Sequence, residues 1–101
     1  MMFMLMTYDV EANRTSRFRK ILRRYLNHEQ YSVFTGDITE AEAIRLRQEL
    51  SLVMIPTDRL TEVTAANRQN VTITHLVKPL SGKGEVSRQE DGRHKCDFGV
   101  L

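Results

Sequence analysis

Gln30-Tyr31-Ser32-Val33-Phe34-Thr35-Gly36-Asp37-Ile38-Thr39-Glu40-Ala41-Glu42 carries two structural signals in one short run. Tyr31, Val33 and Phe34 favour extended backbone, and Gly36 predicts a bulge or a tight bend. Thr39 with Glu42 forms a capping box, so a helix starts directly afterwards. Residues 30–38 fit either one bent strand or two short ones. Either way, an extended segment hands over to a helix in the middle of the chain.

Downstream, Ala43, Leu46, Leu50 and Val53 form the apolar stripe of that helix, with Ile44 and Met54 alongside. Pro56 stops it. Residues 59–65 and 71–78 read as two strands joined by the polar loop Ala66 to Asn70. Upstream, Phe18, Ile21, Leu22, Tyr25 and Leu26 fall on one helical stripe, predicting a helix over 14–26 with Asn13 as its N-cap. Before it, residues 2–8 are a continuous apolar run, the pattern of a central strand covered on both faces. Asp9 then opens a polar turn. His28 is placed to cap the first helix, and His75 to pack at a strand edge. Two helices among four or five strands give an α+β fold: a ferredoxin-like sandwich, with an antiparallel sheet covered on one face by two helices.

The chain of 101 residues suits one domain. Composition shifts at Ser81-Gly82-Lys83-Gly84, dividing a domain over 1–79 from a flexible tail over 80–101. The tail ends on the apolar Phe98-Gly99-Val100-Leu101, suited to docking on a partner. A lone cysteine, Cys96, makes no intrachain disulfide. His94, Cys96 and Asp97 cluster without the fourth ligand that zinc requires. Met1 to Met6 is apolar but lacks a basic segment and a cleavage site, and no run is long enough to span a bilayer. The expectation is a cytoplasmic protein with no membrane partner.

Net charge is only +2, so bulk composition does not announce a nucleic-acid binder, but the charge is unevenly placed. Arg14, Arg17, Arg19, Lys20, Arg23 and Arg24 crowd the first helix, which holds no acidic residue. A solvated helix face usually mixes signs to gain i,i+4 pairs; a single-sign face points to phosphate binding. Asp9 follows a buried strand, where a carboxylate emerges as a hard oxygen ligand. By position alone, shaping the turn is its favoured role. The metal role needs a second carboxylate, which a two-fold partner's Asp9 would supply. Ser32 has no histidine at a telling spacing, and Phe34 and Tyr31 are expected in a core or interface before any stacking on bases.

In combination, Leu5-Met6-Thr7-Tyr8-Asp9-Val10, Arg17-Phe18-Arg19-Lys20-Ile21-Leu22-Arg23-Arg24-Tyr25-Leu26 and Gln30 to Ala41 resemble the CRISPR-associated Cas2 family. The resemblance covers residues 3–55 well and 56–78 by pattern. It implies a ferredoxin-like homodimer that joins the Cas1 integrase, holds a DNA duplex and takes part in acquiring new spacers. For some members it also implies magnesium-dependent cleavage of RNA or DNA. In that case Asp9 binds the Mg2+ ion, Tyr8 and Phe34 support the catalytic site, Ser32 lines it, and Arg17 and Arg19 bind phosphates. The alternative is a toxin-like ribonuclease or a non-catalytic ferredoxin-like interaction domain.

Overall fold

A computed structural model describes residues 1–78 and 87–90. Met2–Asp9 forms β1, Thr15–Arg23 α1, Asn27–Gln30 β2, Val33–Ile38 β3, Glu40–Val53 α2 and Arg59–Ala65 β4. The sheet order is β2-β3-β1-β4 with every neighbouring pair antiparallel, so β1 is interior and β2 and β4 are edges. This is the ferredoxin-like α+β sandwich that the element order predicts.

Alternation along β1 sorts its side chains between two faces. Met4, Met6 and Tyr8 meet Phe18, Ile21 and Leu22 of α1 and Leu46 and Leu50 of α2 in one core. Both helices therefore cover the same face. Phe3, Leu5, Thr7 and Asp9 point the other way. Phe3 is buried outside that core, where the chain after β4 crosses this far face. Arg68 lies 2.9 Å from Asp37, and His75 lies 3.8 Å from Glu29.

Local signals succeed where their partners are close in sequence. The capping box is complete: Thr39 Oγ1 accepts from the Glu42 amide at 3.1 Å, and the Thr39 amide donates to Glu42 Oε1 at 3.0 Å. Ala43, Leu46 and Leu50 are buried, whereas Ile44 and Met54 are exposed. The first helix differs at both ends. A short 3-10 turn, Ala12–Arg14, precedes it, and no side chain caps it, so Asn13 is not its N-cap. Arg14 instead fixes the start of α1 by a tertiary tie: it pairs with Asp58 and donates to the Val53 carbonyl at 2.5 Å. At the other end the helix stops at Arg23, short of the predicted residue 26, and the chain is extended by Asn27.

Residues 30–38 hold one strand, β3, after the last residue of β2; β2 begins at Asn27, ahead of the predicted segment, and Tyr31 and Ser32 join the two. His28 belongs to β2 and stacks on Phe34, with ring centroids 4.4 Å apart, rather than capping α1. The irregularity falls between His28 and Gln30, not at Gly36. Gly36 pairs with Met4 inside regular β3 and lets Leu26 lie close, since a Cβ there would meet Leu26 Cδ2 at 3.3 Å. Later in the chain, only Thr74–Val77 of the predicted strand 71–78 forms a strand. This β5 pairs with β6, Ser87–Glu90, in a separate two-stranded ladder. The 3-10 turn Arg68–Asn70, held by Asn67 Oδ1 accepting from the Gln69 amide at 2.9 Å, carries the chain off the β4 edge. Ser87–Glu90 lies within the segment expected to be tail. Pro79, His94, Cys96, Asp97 and Phe98 to Leu101 lie outside the described residues.

Candidate nucleic-acid interface

Asp9 closes β1, exposed, on the sheet face away from the helices. It forms no ion pair with any described residue. Directly across from it in the antiparallel register is Arg59 of β4, also exposed and outside the ion pairs. Opposed residues of such a pair share a face, so a carboxylate and a guanidinium stand side by side at one end of the sheet. Ser32 reaches the same face: its hydroxyl lies 3.3 Å from that of Thr7, two residues before Asp9. Among the described residues no histidine orients it as a nucleophile; the Thr7 hydroxyl is its partner.

Tyr8 and Phe34 belong to the opposite face. Tyr8 is buried, its ring 5.8 Å from that of Phe18 and 6.2 Å from that of Phe34. Phe34 has no exposed surface. Strand alternation turns Tyr8 inward where Asp9 turns outward, so these two aromatics underpin the strand end and cannot touch a ligand there. Both lie in the core beneath the end of β1, where Phe34 is expected, and from there they can act on the strand end only by supporting it.

The basic residues of α1 divide. Arg14 is engaged with Asp58, whose side chain is 2% exposed, and packs its guanidinium 5.5 Å from the Phe18 ring centroid. This bond, with a second from the Ile55 amide, holds the Asp58 carboxyl below the usual carboxylate range. Arg24 pairs with Glu49 of α2, which also accepts from Tyr25. The Tyr25 bond, with help from Arg24, lowers the Glu49 pKa. Arg14 and Arg24 are thus tethers between elements, not open phosphate ligands. Arg19 is half-buried, with its Nε enclosed. Arg23 Nη2 lies 3.3 Å from His28 Nδ1. Arg17 and Lys20 are exposed, one turn apart, and outside every ion pair among the described residues. The acids missing from α1 therefore come from elsewhere in the fold, and they neutralise its two ends while leaving its middle cationic.

Arg59 escapes a reading of the sequence because nothing local links it to Asp9; only the β1–β4 register does. Among the described residues no three His, Cys, Asp or Glu side chains gather as a metal cluster. Asp9 alone suits a hard cation of the magnesium type, which keeps most of its waters and takes one or two carboxylates plus substrate phosphate. No helix among the described residues is long and apolar enough to cross a membrane.

Residues 2–72 match the family model described as CRISPR associated protein Cas2. A CRISPR-associated endoribonuclease Cas2 of Haloferax volcanii is 42% identical over 59 residues, covering 58% of this chain and 69% of the relative. One of Methanosarcina acetivorans is 32% identical over 86 residues, covering 84% of this chain and 99% of the relative. A solved structure described as "Crystal structure of cas2" is similar with a TM-score of 0.70 and 27% identity, over 83% of this chain and 94% of that one. Asp9, Ser32, Arg59 and the basic helix all lie inside the matched region.

Proposed function

The chain belongs to the CRISPR-associated Cas2 family, and on that premise we propose that it is a homodimeric, magnesium-dependent endoribonuclease that also grips nucleic-acid backbone beside the Cas1 integrase in spacer acquisition. The observation that carries this reading is the exposed Asp9 carboxylate, outside any ion pair among the described residues and directly across from Arg59. The pair supplies a cation that can approach the oxygens of a phosphodiester and a carboxylate that can place a metal.

Two-fold pairing through the far face of the sheet would bring the partner's Asp9 toward this one. Leu5 and Val63, which share that face, are apolar, and Val63 is 52% exposed. Arg59 takes a phosphate oxygen beside the carboxylate. Arg17 and Lys20 hold the flanking backbone and gain from the counterions that the nucleic acid releases. Asp9, from one or both protomers, would hold the Mg2+ ion, which when bound polarises a phosphoryl oxygen and makes its own water more acidic. Ser32 and Thr7 line the floor.

The test uses purified protein with a single-stranded RNA and with a DNA duplex, with Mg2+ and with EDTA. Asp9→Asn should lower cleavage at least a hundredfold while leaving duplex binding within about twofold. Cleavage by the Asn variant at the wild-type rate would end the catalytic part of the reading. Normal duplex binding by a protein reversed at both Arg17 and Lys20 would end the binding part.

A further inference from the structure

Tyr31 is the least expected residue in the fold. It is 89% exposed, and its backbone sits at φ 40°, in the left-handed region that a bulky side chain rarely adopts. Glycine would occupy this position without strain, so the fold tolerates an unfavourable conformation in order to present a phenol ring to solvent. The backbone that carries the ring is anchored. His28 Nε2 lies 2.5 Å from the Tyr31 carbonyl, and the His28 ring stacks on fully buried Phe34 with an interplanar angle of 10°. With its proton on Nε2, His28 donates to that carbonyl while Nδ1 accepts from Arg23. A continuous path thus runs from the core, through a histidine linked to the basic helix, to a strained tip.

We propose that Tyr31 is a base-stacking residue that takes an unpaired nucleobase of a single strand held by the cationic surface. The inference rests on the nucleic-acid reading above and names its substrate more closely. A protein partner is disfavoured by the surroundings: the sequence neighbours Gln30 and Ser32 are polar, and the other exposed large hydrophobics belong to the N-terminus, α2 and the loop after it, β4 and β5. A lone ring among polar groups offers little area to a protein. It offers a whole stacking surface to a base, since every base has a flat π face. Ser32, the next residue, is joined to Thr7 on the face that carries Asp9. A strand stacked on Tyr31 is therefore led toward that carboxylate.

The experiment measures fluorescence anisotropy of the full chain with labelled single-stranded RNA and with a blunt duplex at several salt concentrations. Tyr31→Ala should weaken single-strand binding by about 5- to 100-fold. Its salt slope should not change, because stacking neutralises no phosphate. Tyr31→Phe should bind as wild type, and blunt-duplex affinity should hold for both variants. Tyr31→Gly should lose the same affinity yet melt at or above the wild-type temperature, a pairing that a merely structural residue would not produce. Wild-type single-strand affinity in Tyr31→Ala, an equal loss on blunt duplex, or a shift of that variant to monomer on a sizing column would each overturn the proposal. Failure of the broader reading shows differently, as wild-type protein that binds neither probe, and it removes this inference with it.

Discussion

Phe34 shows how a single residue changes its meaning once its neighbours are known. It lies in the run most suggestive of function, yet it is sealed between Tyr8 and His28 in the core. Phe34→Ala should therefore cost about 3–5 kcal/mol of stability, measured by urea unfolding. Phe34→Leu should cost less and leave nucleic-acid affinity unchanged in the folded protein. Loss of binding in a stably folded Leu variant would return Phe34 to the site. Gly36 makes a second residue-scale case. Its Cα faces Leu26 so closely that the first added carbon already requires Leu26 Cδ2 to give way. Gly36→Val adds two further methyls at that point and should destabilise by about 1–3 kcal/mol, read from the same unfolding curves.

At the scale of elements, α1 and α2 owe their mutual position to charged ties as well as to packing. Arg24 and Tyr25 converge on Glu49, and Arg14 closes on Asp58 just after α2. Both carboxyls titrate below their usual range in the folded protein, Glu49 chiefly through Tyr25 and Asp58 chiefly through Arg14. The unfolded chain titrates near the ordinary values of about 4. The stabilisation is therefore fully present above about pH 4 and is lost as pH falls through the lower folded values. Melting temperature should drop along that acid limb, and Glu49→Gln and Asp58→Asn should each flatten it while lowering stability at pH 7. An unchanged limb in both variants would show that these ties do not govern acid unfolding. The start of α2 is a separate device. Thr39→Ala removes the acceptor for the Glu42 amide and should cost about 1 kcal/mol by chemical denaturation.

Over the whole molecule, the cationic surface is narrower than a count of arginines suggests. Arg17→Glu with Lys20→Glu should reduce duplex affinity and lower the salt slope by about one unit for each phosphate left without its cation, at unchanged melting temperature. Arg14→Ala should do the reverse, lowering the melting temperature with little effect on the salt slope. Titrations from 50 to 200 mM salt, paired with thermal melts, separate the two groups. An Arg14 variant with a clearly reduced salt slope would place that residue back on the binding surface.

Features that depend on residues a few positions apart are legible along the chain without any knowledge of its folded shape. The apolar run of β1, the stripes of α1 and α2, and the Thr39–Glu42 box all act within a turn or a strand, and their order along the chain already implies the ferredoxin-like sheet. The strand β2 is not announced in the sequence because polar Asn27-His28-Glu29-Gln30 has no apolar alternation. The remaining features emerge on folding. Asp9 meets Arg59 through a strand register, and Arg14 and Arg24 are withdrawn by acids 44 and 25 residues away. Such pairings depend on which elements become neighbours in space, a property that no local periodicity along the chain encodes.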